Sequence, residues 1–480
     1  MLLKREYEDT ARTLRNLVLK GAHHHYGKVL TNEQSNRIDM ELDAIIQAGR
    51  EKYFLIVGDI VCKLREYGVT IALGEGPSSG SVVCYCLNIT GIDPLRYGLS
   101  FERFFYFTNN TAIWLLVDSI FKSDIIDMLM DNYGKQHVAR IANPDQTNKL
   151  GVYPTSVVIS DNDIERLMPT RIVKDLDSGK NILAVECPRM ECESKGLYRI
   201  EYLGHYILEI IRFTLDRIRQ IHGITIDITQ IPMDDAATYK LFQEGKDCGV
   251  FRSDWPLIKE FMPKTKPQSF DELVMINAIN QKCGQCEETM KEYLRLKEGE
   301  QEIKHYNSQV DEVLKETYGL LIYDEQMIQL ANILADIPPR ETARMYHAMQ
   351  SKNKEEEKTL ISYEQKFVNG GIQNGHSKEM LQNLWEKYHH TVSKASAVNV
   401  TWVVYISAWL KAHYMAEYMT ETLRFFKSKK FDERVEALVD DCRKNGLHVK
   451  EEVRDYSIGI ARKRKKNKSF KLKFITITNN

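Results

Sequence analysis

Apolar residues near the start of the chain recur at helical spacing. Residues 4–22 read as one helix and residues 33–49 as a second. In the second, Ile38, Leu42, Ile45 and Ile46 make the inward stripe and Gly49 supplies a stop. Tyr53 to Val57 is apolar on both faces and leads into a third helix over Asp59 to Glu66. Val69 to Ala72 predicts a short buried strand. The chain then turns through Gly74-Glu75-Gly76-Pro77-Ser78-Ser79-Gly80-Ser81, and Ser81 to Leu87 continues as a helix. Far downstream, Ser457 to Ile460 and Lys471 to Phe474 predict the strands of a β-hairpin, joined by Arg462-Lys463-Arg464-Lys465-Lys466-Asn467. The chain carries no internal repeat and no low-complexity segment.

Composition narrows the class without naming a function. The 480 residues predict about two to four domains. A hydrophobic content of 43% and a charged content of 28% are those of a soluble globular protein. Basic and acidic residues balance at 66 against 67, so any nucleic-acid contact must come from local clustering of charge. No apolar run approaches the roughly 18 residues that a membrane span needs. Met1 to Arg15 is charged and lacks the apolar centre of a signal peptide. These features predict a cytoplasmic protein with no membrane partner. The nine cysteines read as reduced thiols. Cys283 and Cys286 have zinc-knuckle spacing, but no second pair completes a site, and no metal is expected there. His23-His24-His25 reads as surface, and Lys352 to Lys358 as a solvated helix start.

A Gly/Ser turn placed before a helix suits phosphate, because glycines let backbone N–H groups converge and a helix start adds partial positive charge. Most such turns are only turns. Here the flanking residues add specificity: Ile92-Asp93-Pro94-Leu95-Arg96-Tyr97 and Phe101-Glu102-Arg103-Phe104-Phe105 follow in order. This run resembles the palm of the family C bacterial DNA polymerases, the alpha subunit of DNA polymerase III. That family carries a Gly-Arg-Gly-Ser-x-x-Gly-Ser turn, then Ile-Thr-x-Ile-Asp-Pro-Leu, then Phe-Glu-Arg-Phe. The resemblance returns at His137-Val138-Ala139, Val157 to Ser160, Gly196-Leu197, Ile200 to Gly204, Ile231 to Asp235, Tyr318 to Gln326 and Trp409 to Tyr414. It implies an α/β (α+β) fold: a nucleotidyltransferase-like palm with a mixed sheet, and a mainly helical fingers domain. The implied division is palm over 1–228, fingers over 229–430, and a helix with a basic hairpin over 431–480. No stretch matches the family's leading polymerase-and-histidinol-phosphatase domain or its later C-terminal parts. The thumb is expected to shrink to a short loop near 140–155, too short for a helical insertion at about 1.5 Å per residue.

The departures fall on the chemistry. The family holds two divalent cations with a Pro-Asp-x-Asp-x-Asp strand and the Asp of Phe-Asp-Phe-Leu-Gly, the arrangement that two-metal nucleotidyl transfer needs. In this chain the strand reads Ala112-Ile113-Trp114-Leu115-Leu116-Val117-Asp118, and Glu201 stands at the third position. Trp114 and Leu116 therefore replace the aspartate pair, and no Asp or Glu lies between Glu102 and Asp118. Glu75 stands where the family's turn has Arg, and a carboxylate there repels a triphosphate. The family's Arg after Phe-Glu-Arg-Phe falls on Asn109 or Asn110, and its Asn-Lys-Ser-His run becomes Ser393-Lys394-Ala395-Ser396.

Three readings follow. In the first, the chain is a catalytically degenerate palm-and-fingers module with Asp118 and Glu201 as catalytic remnants and no cofactor. Its partners would be DNA, an active polymerase or another protein. In the second, Asp118 and Glu201, with Glu75, form a relocated Mg²⁺ site in an active nucleotidyltransferase. In the third, Gly80, Ser81, Arg199 and Lys394 bind a nucleotide without turning it over. For DNA, the segment Arg462 to Lys473 holds eight Lys/Arg and no acid. Arg462, Lys463, Arg464, Lys465, Lys466 and Lys468 are expected to give weak, non-specific, salt-sensitive affinity.

Overall fold

A computed structural model describes residues 9–106, 112–142, 152–175, 179–189, 191–281, 286–350, 354–457 and 469–478. The helices α1 (Thr10–Tyr26), α2 (Asn32–Gln47) and α3 (Glu51–Glu66) open the chain, followed by α4 (Val82–Cys86) and α5 (Phe101–Phe105). The strand β1 (Trp114–Asp118) leads through α6 (Lys122–Tyr133) to β2 (Val138–Ala142) and β3 (Val152–Ile159). Then come α7 (Ile164–Leu167), β4 (Thr170–Lys174), β5 (Asn181–Val185) and β6 (Tyr198–His205). Helices follow from α8 (Tyr206–His222) through α9 (Ala236–Gln243), α10 (Pro256–Thr265), α11 (Phe270–Gln281), α12 (Cys286–Glu298) and α13 (Ser308–Leu314). After these come α14 (Asp324–Ala335), α15 (Pro339–Gln350), α16 (Lys354–Gln373), α17 (Lys378–Tyr388), α18 (Lys394–His413), α19 (Met415–Ser428) and α20 (Asp432–Lys444). A hairpin of β7 (His448–Ser457) and β8 (Ser469–Thr478) ends the described chain.

The expected α/β architecture is present. Six strands form one mixed sheet in the order β1-β6-β3-β2-β5-β4. The pairs β1/β6 and β2/β5 are parallel, and β6/β3, β3/β2 and β5/β4 are antiparallel. One face carries Leu115, Val117, Val138, Val157, Ile159, Ile200 and Tyr202 into a core shared with the opening helices. The opposite face buries Ala139, Ile141, Val158 and Val185 under Cys187, Cys192 and Leu197, which belong to the β5–β6 connection. At the β1 end of that second face stand Trp114, Leu116, Glu201 and Leu203. A separate helical core gathers Met327, Leu330, Leu334, Phe367, Leu384 and Trp385.

By contact the chain forms two compact units, 1–208 with 274–401, and 209–273 with 402–480. The division expected above is by resemblance, and this one is by packing. In the second unit the Lys411 side chain is fully buried, and its ammonium donates to the carbonyls of Lys246 and Cys248 and to Asp441. All three ammonium protons are thereby used.

Several local expectations change. Helix α1 starts under the Asp9 cap and runs on to Tyr26, where Gly27 turns the backbone at φ 94°. His23 and His24 are exposed, as expected, but His25 is half-buried and stacks on Tyr85 at 4.2 Å. Tyr53 to Val57 is not a separate segment: α3 is continuous and buries Tyr53, Phe54, Leu55, Ile56 and Val57. The first half of this helix is buried all round, so Tyr53 to Val57 lacks the polar face that reveals a helical period. The expected strand at Val69 to Ala72 is a single bridge, Ile71 to Val117, flanked by two backbone bonds to β1. In the hairpin the described part of the first strand begins before the expected one, at His448, where sparse apolar residues hid the alternation, and it pairs Ser457 with Ser469; Ile458 to Ile460 of the expected strand lie outside the described residues. Residues 458–468, with Arg462 to Lys468, lie outside the described residues, as do Asn109, Asn110 and Cys283. Residues 143–151 of the expected thumb loop also lie outside, while β2 and β3 pair directly on either side of them. Among the described residues no helix is long and apolar enough to cross a membrane.

Gly21 measures how closely the opening helices pack. A Cβ on Gly21 would stand 1.8 Å from the Cys86 carbonyl oxygen at the end of α4. Alanine gains up to about 1 kcal/mol in helix propensity, but the clash is with backbone and cannot be relieved by a rotamer change. Gly21→Ala is therefore expected to destabilise by about 1–3 kcal/mol, read as a lower denaturant midpoint at unchanged slope. A midpoint at or above that of the parent would refute this packing.

Candidate functional site

The Gly/Ser turn folds as a 3-10 helix over Gly76–Gly80 and passes through Ser81 into α4. The donors that a helix start offers are taken by the chain itself. Glu41 of α2 accepts from Val82 N (3.0 Å), Val83 N (3.1 Å) and the Ser81 hydroxyl (2.7 Å). Ser81 Oγ in turn caps Cys84 N at 3.1 Å. Arg37 pairs with Glu41 at 2.7 Å and donates to the carbonyls of Gly80 and Leu99. Glu41 is fully buried, and burial raises its carboxyl's pKa against the pull of Arg37 and these hydrogen bonds. From the other side, Asn399 of α18 accepts from Ser79 Oγ (2.7 Å) and donates to the Gly76 carbonyl (2.9 Å). Gly80 itself allows no side chain, since a Cβ would meet Ser100 O at 2.3 Å. Gly80 and Ser81, expected to face a triphosphate, thus sit in a turn clamped by α2 and α18.

The sheet sets out Trp114, Leu116, Asp118 and Glu201 in register. Trp114 pairs with Glu201, Leu116 with Leu203, and Asp118 with His205 along the parallel β1/β6 ladder. Paired residues share a face, so Trp114 and Leu116 flank Glu201 where the resemblance places the metal-binding aspartates. Trp114 is half-buried, Leu116 is buried and Leu203 is 38% exposed. Asp118 stands four residues beyond the Glu201 position, about 13 Å along the strands at about 3.3 Å per residue. It is fully buried and caps the following turn by accepting from Ile120 N at 3.0 Å. Glu201 is also fully buried. Its carboxylate accepts from the Ser156 hydroxyl (2.7 and 2.8 Å) and from Thr155 (3.3 Å), and Arg189 reaches it at 2.5 Å. Arg199, on the same strand face, stands 3.5 Å from it.

This set does not fit a pair of divalent cations. Mg²⁺ needs converging carboxylate oxygens at about 2.0–2.1 Å. Asp118 and Glu201 are separated along the sheet, the first caps a turn, and the second is neutralised by guanidinium. Among the described residues no three or more His, Cys, Asp or Glu side chains gather as a metal site would require. The relocated site built from Asp118 and Glu201 is therefore not assembled.

Lys394 opens α18, and its environment is also internal. Its ammonium pairs with Glu316 at 2.7 Å and lies 5.3 Å from the centre of the Tyr323 ring. The start of α18 is capped by Glu325, which accepts from Lys394 N (2.8 Å) and Ala395 N (3.2 Å). Asp324 beside it pairs with the buried Arg103 at 3.1 Å and accepts from Thr391 at 2.7 Å. The Glu325 carboxyl's pKa is pushed up to about 7, first by burial and then by the Asp324 charge. A cleft of about 450 Å³ opens beside these residues, lined by Arg37, Gly98, Glu102, Glu325 and Asn332 among others.

Sequence reasoning missed Glu41, Asn399 and Arg189. For Glu41 the signal was present: with Ile38, Leu42 and Ile45 it occupies the i, i+3, i+4, i+7 stripe, so a carboxylate lies inside an apolar face and needs partners. Asn399 and Arg189 carry no local mark, because their partners are set by tertiary placement.

Comparison with known proteins gives two matches to family models. Residues 12–149 match the bacterial DNA polymerase III alpha NTPase domain, and residues 207–375 match the bacterial DNA polymerase III alpha subunit finger domain. Among curated proteins, the DNA polymerase III subunit alpha of Aquifex aeolicus is 24% identical over 87% of this chain. That of Halalkalibacterium halodurans is 27% identical over 91%, and that of Mycobacterium tuberculosis 26% over 92%. The matches cover 44%, 45% and 44% of those relatives, so the chain spans a little under half of their length.

Two outcomes follow from the clamped turn and the buried cap. Glu41→Ala leaves Arg37 and three donors without their partner, and about 3–5 kcal/mol of stability should be lost, measured by chemical denaturation. A loss below about 1 kcal/mol would count against the clamp. The second concerns Glu325, whose folded pKa of about 7 lies above the ordinary carboxylate value of about 4.3. As pH rises through that window the unfolded chain gives up the proton first, so stability falls. Glu325→Gln should flatten the decline in melting temperature between pH 5 and 8 relative to the parent. Identical slopes would sink the assignment.

Proposed function

Because this chain belongs to the family of the bacterial DNA polymerase III alpha subunit, we propose that it is a catalytically degenerate palm-and-fingers module. It works in DNA replication by binding DNA rather than by extending a primer. The observation that carries this reading is the β1/β6 face. Trp114 and Leu116 stand at the metal positions beside a neutralised Glu201, and Asp118 is about 13 Å away along the strands. Positioning and charge neutralisation supply most of the rate in this class of transfer, so losing the metal ligands removes most of the catalysis. The scaffold residues persist: the Phe101–Phe105 cluster, the Arg103–Asp324 pair and the Gly/Ser turn all remain packed.

The DNA contact of this reading is the basic run Arg462 to Lys473, whose charge gives affinity without sequence preference. Magnesium-dependent primer extension by the purified chain should not rise above the buffer background. Extension that is abolished by Asp118→Asn or Glu201→Gln would overturn the reading. Retention on single-stranded and duplex DNA should weaken steeply with added salt, and deletion of residues 461–480 should remove most of it. Unchanged retention after that deletion would shift the reading to a protein partner, with an active polymerase as the first to test.

A further inference from the structure

The Glu201 carboxylate is the one acidic group left at the former third metal position, and a cation already sits on it. Arg189 Nη2 lies 2.5 Å from Glu201 Oε1. The same oxygen accepts from Ser156 at 2.8 Å, and Oε2 accepts from Ser156 at 2.7 Å and Thr155 at 3.3 Å. A second guanidinium, that of Arg199, stands 3.5 Å from Oε1.

Arg189 is built into this position rather than resting there. It lies in the connection between β5 and β6, next to Pro188, and its guanidinium sits 4.7 Å from the centre of the Tyr153 ring. The Pro188 carbonyl is a fixed point for that connection. It accepts from Glu191 N at 2.9 Å and from the thiols of Cys187 and Cys192, each at 3.5 Å. Both cysteines are buried in the small core on this face of the sheet. Gly196, at φ 76°, returns the chain into β6. The loop thus presents Arg189 to a carboxylate from which water is excluded.

We infer that Arg189 is an internal replacement for a divalent cation at Glu201. Its guanidinium neutralises the carboxylate with no need for metal, and its charge repels a dication from the same oxygen at short range. The palm face has exchanged a metal site for an internal ion pair, so restoring carboxylates alone restores metal binding only weakly. This inference rests on the reading above only for which strand positions face Glu201. It does not depend on whether the chain extends primers.

Manganese, followed by the electron paramagnetic resonance of the free ion, tests it on the full chain. Trp114→Asp/Leu116→Asp restores the pair of aspartates beside Glu201 and should bind Mn²⁺ weakly. Adding Arg189→Met should tighten binding by about tenfold or more, the scale on which neighbouring groups tune a metal site. Equal affinities for the two proteins would overturn the inference. A measurement on the parent background avoids dependence on folding of the multiple variants. Arg189→Met alone should gain a Mn²⁺-dependent rise in melting temperature that the parent and Arg189→Met/Glu201→Gln both lack. No such rise, or the same rise in all three, would also overturn it. Primer extension by the parent chain would sink the proposed function and leave the Mn²⁺ result to stand or fall by itself.

Discussion

Burial of the Glu41 carboxylate is the constraint on which the palm depends. A charge removed from water must find partners, and Glu41 finds Arg37, the Ser81 hydroxyl and two amides of α4. Those contacts join α2 to α4. Arg37 extends them to the Gly80 and Leu99 carbonyls, which fixes the approach to α5. The same economy recurs across the first unit: Arg103 with Asp324 and Arg140 with Asp175 are buried ion pairs, and the half-buried Arg189 covers the buried Glu201. A fold with this many internal charge pairs is specified by polar geometry as much as by apolar area.

The fold class was legible through the resemblance, whose motifs are short apolar runs in a definite order. Phe101-Glu102-Arg103-Phe104-Phe105, quoted for the resemblance, forms a short helix that buries its three phenylalanines, and the run Trp114 to Asp118 forms the expected strand. Two of the departures have related causes. The first half of α3 is buried all round, so Tyr53 to Val57 shows no polar face, and half of the residues in β7 are charged, so it shows little alternation. Periodicity reports a boundary between core and water, and it is silent where there is no such boundary.

The candidate site was legible in its departures from the family's strand motif and not in the contacts its residues make. Trp114 and Leu116 could be recognised where aspartates were expected, since a strand position needs only counting. The register added what counting cannot supply: Asp118 is paired with His205, so it does not converge with Glu201. Arg189 and Asn399 act on residues that are distant in sequence or across a turn, and no local pattern marks them. Lys394 and Arg199, expected to meet a nucleotide, are each engaged by a carboxylate of the chain.

The Asn399 clamp has a consequence for the order in which the chain is made. The turn it holds is complete within the first hundred or so positions, yet its clamp is 320 residues away from Ser79. The packing units interleave in the same way, since residues 274–401 complete what 1–208 begin, and 402–480 complete what 209–273 begin. During synthesis the palm therefore emerges long before the helix that closes it. Contacts of such long sequence separation form slowly and leave apolar surface exposed in the meantime. The nascent amino-terminal half thus waits, with apolar surface still uncovered, for residues 274–401 to be made.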